Sequence, residues 1–525
     1  MRNRGWGILV AAAGLMALLA PQAQAEIKLP SIFGTSMVLQ RGMPVPVWGW
    51  ATPGEKISVS FRDQVKSTTA DPQGNWQIKL DSLDVGPASQ LSVRGQNESK
   101  TFDNVLVGEV WVCSGQSNMG WTVDRSLDAD LEKKTANFPE IRLFRVPNVT
   151  ATEPQKDVNA QWLPCTPQTV GPHTAVGYFF GRELHRALGV PVGVVQTAWG
   201  GTRAEAWTSP EKMAATKELQ PILDSWNELV DSPRAAELLK NYEKALEKWK
   251  TASAAAKAAG KPQPKPPTMP EVKRDSRHHP STLYNAMVSP LIPYAIRGAI
   301  WYQGESNASR AYQYRTLMPA LIESWREAWG QGDFPFYQVQ LANFKAIQSE
   351  PGESDWAELR EAQALVKEKL PNVDCVCITD IGAAKDIHPK DKQNVAKRLA
   401  RMALHDLYGM NDLVRQGPKF QKVTFEGNKA IITFETFGSP LTSYYNEPLS
   451  GFAVAGENRK WVWGQAKIVG PNTVEVVGPE GITPVAVRYN WSDNPQGNLY
   501  SESYLPACPF RSDDWEGVTA TNVKP

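Results

Sequence analysis

The middle of the chain alternates short apolar runs with longer segments in which apolar residues return every three or four positions. Short apolar runs bounded by turn residues are typical of strands buried on both faces, and a three-to-four-residue return is typical of amphipathic helices. The predicted strands are 105–112, 190–199, 295–302, 334–341 and 375–381. The predicted helices are 175–188, 310–329, 356–370 and 390–408.

This alternation predicts the fold class. Parallel strands are joined by crossover connections, usually helices, so the sheet is expected to be parallel with helices on both faces. We therefore predict an α/β protein with a three-layer α/β/α core and flanking all-β domains. In such sheets ligands bind at the carboxyl ends of the strands.

The two flanks have a different pattern, in which short alternating segments are separated by turn residues such as Pro53-Gly54. They predict a β-sandwich-like domain at 26–104 and a C-terminal β domain at 411–525, with the α/β domain at 105–410 between them. Residues 210–275 form an insertion, first helical in pattern and then rich in proline. The insertion is interpreted either as a lid over the site or as a solvated helical hairpin.

The first 25 residues have the pattern of a signal peptide. Arg2 and Arg4 precede an apolar stretch, and Ala23-Gln24-Ala25 has the small residues of a signal-peptidase site. The apolar stretch is shorter than the roughly 20 residues of a membrane-spanning helix. We therefore expect an exported protein, periplasmic or secreted, that has no membrane contact after cleavage.

Composition narrows the classes of partner and cofactor. The 56 basic and 55 acidic residues nearly cancel, which gives no reason to expect a nucleic acid partner. Five cysteines are an odd number, so at least one is unpaired in a monomer. Neither their spacing nor the six histidines predict a metal site, because zinc sites favour clusters of four Cys and His ligands. The oligomeric state has no signature in the sequence.

Chemically useful residues follow the ends of four predicted strands, and among them are Ser117 and His388. A serine hydroxyl becomes a nucleophile when a neighbouring imidazole accepts its proton. Ser117 is therefore the candidate nucleophile and His388 the candidate base. His173, in a loop after Gly171-Pro172, is the alternative base.

The acid that orients His388 has three candidates. Asp386 lies two residues before the histidine, and Glu305 follows a neighbouring predicted strand. Asp380, at the end of the last strand, is the third. We favour Asp386 over Glu305 and expect the other carboxylate to matter for structure.

Acyl transfer also needs donors for the developing oxyanion. The backbone N–H of Ser117 is one candidate. The N–H of Gly201 is a second, because a Gly-Gly pair allows close approach of the backbone, although tight turns need glycine as well. Asn118 is a candidate for orienting the serine loop. Arg203 is a candidate for substrate binding or for a structural pair with Glu205.

Five segments resemble the blocks of the sialate O-acetylesterases, within the wider Ser-Gly-Asn-His hydrolase group. The resemblance covers nearly the whole mature chain and implies an esterase that releases acetate from sugar hydroxyls without a metal or organic cofactor. The segments are VCSGQSNM at 112–119, WGGTR at 199–203, WYQGESN at 301–307, IHP at 387–389 and a C-terminal stretch at 488–511.

The resemblance implies roles for further site residues but does not determine the substrate. It implies that the Gln303 amide replaces the oxyanion-hole asparagine usual in the wider group. In that group the triad acid stands three residues before the histidine, where this chain has Lys385; some related acetylesterases use the position of Glu305. Related enzymes act on sialic acid or on hemicelluloses such as xylan and xyloglucan. Two other functions stay open, a glycan acetyltransferase and a non-catalytic sugar-binding protein.

Overall fold

The computed structural model describes residues 26–524. The predicted signal peptide lies outside the described residues. A mostly parallel sheet covered by helices is flanked by antiparallel β regions on the N- and C-terminal sides, which confirms the predicted fold class.

The N-terminal region consists of short, mostly antiparallel strands. In β3, residues Ile57, Val59 and Phe61 are buried while their neighbours are more exposed, which is the alternation of a strand with one face on a core. β2 pairs with β5, and β3 pairs with β4 and β6. The strands are β1 (Val38–Gln40), β2 (Val45–Trp50), β3 (Lys56–Phe61), β4 (Gln64–Thr69), β5 (Asn75–Leu80) and β6 (Ser89–Arg94).

The central region begins with the long strand β7 (Ser99–Gly115), whose first half pairs antiparallel with β6. The predicted boundary between residues 104 and 105 therefore lies inside one strand. The later elements are α1 (Ser117–Gly120), α2 (Ala129–Lys134), β8 (Phe138–Arg145), β9 (Trp162–Cys165), α3 (Ala175–Leu188), β10 (Val192–Ala198), α4 (Pro210–Ala215), α5 (Gln220–Val230), α6 (Pro233–Ala258), β11 (Gly298–Tyr302), α7 (Ala311–Trp329), β12 (Phe336–Val339), α8 (Asp355–Lys369), β13 (Val373–Val376) and α9 (Lys392–Tyr408).

The central sheet has the strand order β13-β12-β11-β7-β10-β8-β9. All neighbours are parallel except β8 and β9. Gly115, the last residue of β7, is in register with Ala198 of β10 and Tyr302 of β11. The carboxyl ends of these three strands therefore lie at one level, and the loops that follow them meet at one edge.

Strand β8 of this sheet has no clear apolar run in the sequence. β8 reads Phe-Pro-Glu-Ile-Arg-Leu-Phe-Arg, in which a proline and three charged residues interrupt the apolar pattern. Its Arg142 is nevertheless buried, because its guanidinium donates to the carbonyls of Pro139 and Ser36. Tertiary contacts thus allow a strand that the pattern alone does not indicate.

The insertion at 210–275 contains helices α4, α5 and α6 and then an irregular proline-rich stretch. Ser209 and Ser232 cap α4 and α6 by accepting backbone N–H groups, each with a proline in the first turn. Lys212 of α4 contacts Glu323 and Glu327 of α7, which fixes the start of the insertion on the outer helical layer. Among residues 26–524, no helix has the length and apolar character that a membrane span needs.

The C-terminal region has its own core, with Ile432, Val454 and Val474 among its buried residues. It contains two four-stranded antiparallel sheets, β14-β15-β20-β19 and β18-β17-β21-β23, and the pair β16-β22. The strands are β14 (Lys419–Glu426), β15 (Lys429–Glu435), β16 (Leu441–Ser443), β17 (Phe452–Ala455), β18 (Trp461–Trp463), β19 (Gln465–Gly470), β20 (Thr473–Val477), β21 (Ala486–Tyr489), β22 (Leu499–Ser501) and β23 (Phe510–Arg511).

Candidate active site

Ser117 starts helix α1 directly after the end of β7. Gly115, two residues earlier, has φ +135°, and a Cβ there would lie 2.2 Å from the carbonyl oxygen of Tyr302. Only glycine lets β7 end this close to β11. The N–H of Gln116 donates to the same carbonyl, which fixes the backbone just before Ser117.

His388 lies in the loop between β13 and α9, and its ring faces the serine. Its Nε2 is 2.9 Å from Oγ of Ser117, and its Nδ1 is 3.2 Å from Oδ1 of Asp386. The same Asp386 oxygen accepts the backbone N–H of His388 at 2.9 Å. The structure therefore brings together Ser117, His388 and Asp386 in the order of a nucleophile, a base and an orienting acid.

Burial lowers the pKa of the His388 imidazole. The hydrogen bond and charge of Asp386 oppose this effect, whereas the positive charges of Lys392 and Arg125 add to it. The backbone N–H of His388, followed by its side chain, lowers the pKa of Asp386. A neutral imidazole beside an ionised carboxylate is the state in which His388 accepts a proton.

Glu305 is bound to Asn118 and not to the histidine. Nδ2 of Asn118 donates to Oε1 of Glu305 at 2.6 Å and to the carbonyl of Ile387 at 3.1 Å, while Oδ1 of Asn118 accepts from Nζ of the buried Lys392 at 2.6 Å. Burial raises the pKa of Glu305 and lowers that of Lys392 to about 7. Asn118 thereby ties the serine turn to the residue just before His388.

Trp121 supports the other side of the histidine, a role that the sequence analysis missed. Its indole stacks on the His388 ring with centroids 4.8 Å apart and planes 18° from parallel, and the Arg125 guanidinium lies 3.6 Å from the Trp121 ring centroid. The sequence does contain a signal for this role: Trp121 lies four residues after Ser117, about one helical turn, so the two can lie on one face. The stack restricts rotation of the imidazole.

A cavity of about 310 Å³ opens onto the serine. Arg125 and Arg145 are among the residues that line it, so the space beside Ser117 is flanked by positive charge. The residues that define it include Ser117, Trp121, Arg125, Arg145, Gly200 and His388.

Gly200 is the glycine that packs against the nucleophile. A Cβ on Gly200 would lie 3.2 Å from Cβ of Ser117, whereas one on Gly201 would meet nothing within 4 Å. The Gly200 carbonyl accepts from Nη1 of Arg277 at 3.4 Å, and in a trans peptide the following N–H points the opposite way. The N–H of Gly201 is thus directed away from Arg277, and its oxyanion role stays a prediction.

The Gln303 side chain is buried away from the nucleophile. Its Nε2 donates to the carbonyl of Thr202 at 3.2 Å and to Oδ1 of Asn307 at 2.7 Å, and its Oε1 accepts from the Tyr314 hydroxyl. Both amide hydrogens are therefore in use. In this conformation Gln303 supports the loop that carries Gly200 and Gly201 and has no hydrogen left for an oxyanion.

Three other candidate residues lie outside the contacts of His388. Asp380 forms a bidentate pair with Arg398 at 2.7 and 2.6 Å. Arg203 is partly buried beside Glu205, and this burial lowers the pKa of the Arg203 guanidinium. His173 is buried, its pKa lowered to about 4 by burial, while His388 occupies the position next to Ser117.

The buried carboxylate of Glu205 forms an ion pair with Arg310, which lies between β11 and α7. It also accepts a hydrogen bond from Nδ2 of Asn307 at 2.9 Å. The N–H of Ala204 donates to Oδ1 of Asn307, so the loop after β10 and the loop after β11 are held together. This pair positions the walls of the site.

Comparison with known proteins shows the family to which this chain belongs. The profile of the carbohydrate esterase family of sialic acid-specific acetylesterases matches residues 107–255 and 272–405, more than half of the chain. The chain belongs to this family. The match includes the segments with Ser117, Glu305 and His388, and it indicates a carbohydrate esterase.

Relatives of the esterase cover nearly its full length. The human sialate O-acetylesterase is 28% identical over 527 residues, with 92% of each chain covered, and the mouse enzyme is 28% identical over 541 residues, with 94% of this chain and 96% of the mouse chain covered. The crystal structure of XAC1771, a carbohydrate acetylesterase from Xanthomonas citri, is 34% identical, covers 93% of this chain and 100% of its own, and gives a TM-score of 0.79.

Proposed function

We propose that this carbohydrate acetylesterase works through a serine acetyl-enzyme on Ser117. The observation that carries the proposal is the chain of contacts from Oγ of Ser117 to Nε2 of His388 and from Nδ1 of His388 to Asp386, at 2.9 and 3.2 Å. Such a chain lets one imidazole remove the serine proton while a carboxylate stabilises the imidazolium.

In the first half of the reaction, Oγ of Ser117 attacks the acetyl carbonyl carbon and its proton moves to Nε2 of His388. The N–H of Ser117, at the start of α1, and the N–H of Gly201 are the proposed donors to the oxyanion. The C–O bond to the sugar then breaks, and the sugar oxygen leaves with the proton from Nε2.

In the second half, water replaces the sugar. Nε2 of His388 accepts a proton from the water as its oxygen attacks the acetyl carbon of the acetyl-enzyme. Acetate leaves, and Oγ of Ser117 takes the proton back. Since water is the acceptor, the reaction is hydrolysis, as in the esterase family, and not transfer to a second sugar.

We further propose that the sugar next to Ser117 is acidic. Arg125 and Arg145 both line the cavity, and a guanidinium pairs with a sugar carboxylate at two points. The curated relatives from human and mouse are sialate O-acetylesterases, and sialic acid carries such a carboxylate. Acetylated hemicelluloses are the competing substrates. Export to the periplasm or beyond, proposed from residues 1–25, gives the enzyme access to extracellular glycans of either class.

The test is acetate release from O-acetylated sialic acid, acetylated xylan and acetylated xyloglucan fragments by the protein and by Ser117→Ala. We expect release to fall by at least about 10⁴-fold in the variant. Intact-mass measurement after rapid quenching should detect an added acetyl group on the wild type and not on Ser117→Ala. Release that survives the substitution contradicts the serine mechanism, and release from hemicellulose alone contradicts the acidic sugar.

A further inference from the structure

A second cavity, of about 330 Å³, lies where the loop after β12 meets the C-terminal β region. Its volume is within the range of small-molecule sites, which begins at roughly 300 Å³. Residues of the loop form one wall and residues near β18 and β21 form the other. Its lining includes Glu350, Trp463, Asn490 and Trp491.

Trp463 presents an exposed indole to this cavity. The residue is 42% exposed. Its Nε1 donates to the carbonyl of Ser349 at 2.8 Å, so the ring is fixed in orientation by the facing loop. Because the polar end of the indole is already bound, the surface that remains free is apolar, and it suits the C–H face of a pyranose ring.

Trp491 forms part of the same wall. The residue is only 7% exposed, and its Nε1 has no partner among residues 26–524. The guanidiniums of Arg488 and Arg511 lie 4.9 and 5.3 Å from its ring centroid and hold the ring in place. Since its Nε1 is buried, the part of the indole that faces the cavity is apolar.

The neighbouring polar groups also suit a sugar. Oδ1 of Asn490 accepts the N–H of Gly497 at 2.8 Å, which leaves the amide nitrogen of Asn490 available at the cavity. Glu350 is the single charged residue among those that line the cavity. An acidic ligand would face this carboxylate without a cation in the wall, so a neutral, hydroxyl-rich ligand fits better.

The position of the cavity connects it with the active site. β12 and β13 are parallel neighbours, so the loop after β12 and the His388 loop after β13 leave the sheet at one edge. Asn343 joins the two: its Oδ1 accepts the N–H of Gly382 at 2.6 Å and its Nδ2 donates to Oδ1 of Asn494, a cavity residue, at 3.0 Å.

A third cavity has aromatic walls too, but its position differs. It is lined by Trp50 and Trp76 and includes Ile292 and Pro293, which precede β11 and thus lie towards the opposite edge of the sheet. A glycan bound there is on the wrong side for Ser117. Trp50 therefore serves as a matched control.

We propose that the cavity formed by Trp463 and Trp491 is a subsite for a neutral sugar residue of the same glycan whose acetyl ester reaches Ser117. The inference rests on the proposed carbohydrate substrate. Trp463 stacks against the ring of the sugar, and the amide nitrogen of Asn490 donates to one of its hydroxyl oxygens. An extended glycan then gains affinity from a contact that a free acetyl ester cannot make.

The experiment measures binding apart from turnover. Full-length Ser117→Ala protein is titrated calorimetrically with three neutral probes, namely N-acetyllactosamine, xylohexaose and deacetylated xyloglucan heptasaccharide. We expect at least one probe to bind, Trp463→Ala to weaken its Kd by at least about 10-fold, and Asn490→Asp, which keeps the acceptor for Gly497 and removes the amide donor, to weaken it by about 5-fold. Trp50→Ala should leave the Kd unchanged.

A second readout uses the active enzyme. Trp463→Ala should lower kcat/KM on an acetylated oligosaccharide and leave kcat/KM on 4-nitrophenyl acetate unchanged, since that small ester occupies only the cavity at Ser117. No binding of any probe, or a Kd unaffected by both Trp463→Ala and Asn490→Asp, overturns the proposal. Binding is independent of the serine mechanism, so failure of that mechanism is recognised separately by acetate release from Ser117→Ala.

Discussion

Nζ of Lys392 donates a 2.6 Å hydrogen bond to Oδ1 of Asn118, so a buried ammonium group holds the residue that follows the proposed nucleophile. Asn118 donates in turn to the carbonyl of Ile387, the residue before His388. One lysine at the start of α9 therefore constrains both the serine turn and the histidine loop. Its positive charge also contributes to the lowered pKa of His388.

Lys392→Met should move the acid limb of the pH profile of kcat/KM to higher pH, by about 0.3 to 1 pH unit. Lys392 disfavours a second positive charge on His388, so its removal raises the pKa of the imidazole, and His388 becomes protonated at a higher pH. The measurement is kcat/KM on 4-nitrophenyl acetate from pH 5 to 9. Lys397→Met, which removes an exposed charge from the same helix, is the control and should leave the limb in place. An unmoved limb in Lys392→Met contradicts this role.

The same lysine should make thermal stability depend on pH. Burial lowers the pKa of Lys392 from its ordinary 10.5 to about 7 in the folded protein. Between these values the unfolded chain binds more protons than the folded one, so the stability contribution of this group rises with pH and is least favourable below pH 7. The difference in Tm between wild type and Lys392→Met should therefore change in favour of wild type as the pH rises from 7 to 10. A constant difference argues against a buried titrating lysine.

Substitution of the two rival carboxylates should have unequal effects. Asp386→Asn removes the negative charge at 3.2 Å from Nδ1 of His388, and we expect kcat/KM to fall by about 10² to 10⁴-fold. Glu305→Gln keeps an acceptor for Nδ2 of Asn118, so a decrease below about 5-fold is expected. Asp380→Asn, at the Arg398 pair, is the control for loss of a nearby carboxylate. The reverse order of effects makes Glu305 the orienting acid.

The two neighbouring glycines should respond differently to alanine. Gly200→Ala places a Cβ 3.2 Å from Cβ of Ser117, so the serine has to move by a few tenths of an ångström, and we expect kcat/KM to fall by about 10-fold with Tm nearly unchanged. Gly201→Ala meets no atom within 4 Å but has φ +75°, which costs about 1 kcal/mol of stability. Kinetics and thermal melts of both variants separate the two effects. Equal kinetic losses would show that the packing of Gly200 is not decisive.

The buried pair of Glu205 and Arg310 should matter for stability. Arg310→Met removes the paired guanidinium from the buried Glu205 carboxylate, which keeps the hydrogen bond from Asn307 and the nearby charge of Arg203, and this should cost about 3 to 5 kcal/mol. In the double variant Glu205→Gln with Arg310→Met no charge is stranded, so part of the loss should be recovered. The measurement is urea unfolding of wild type and the three variants. Purely additive losses mean that the two side chains are not coupled.

The alternation of apolar runs and amphipathic segments was enough to predict the α/β fold, because helical and strand periodicities are local properties of the sequence. Helix α3 has the predicted bounds, 175–188, and helices α7, α8 and α9 differ from the predicted ones by at most two residues. Strand β8 was missed, since its Arg142 is buried with the help of the Ser36 carbonyl, which is distant in sequence.

The candidate residues at strand ends could also be predicted, because parallel strands place their carboxyl ends at one edge. This argument selected Ser117 and His388, which the structure places 2.9 Å apart, although they are separated by 271 positions in the chain. The argument ranks residues by position along a strand. It does not say which side chains turn towards each other.

The sequence alone determined the fold class, the strand ends and the residue types available for acyl transfer, since each depends on local pattern or chemistry. Only the tertiary structure decided which partners these residues have. Gln303 is occupied by Thr202 and Asn307, and Asn118 donates to Glu305 and to the carbonyl of Ile387. The physical reason is that a hydrogen bond is set within a few tenths of an ångström by the packing of distant segments, and no local pattern encodes that distance.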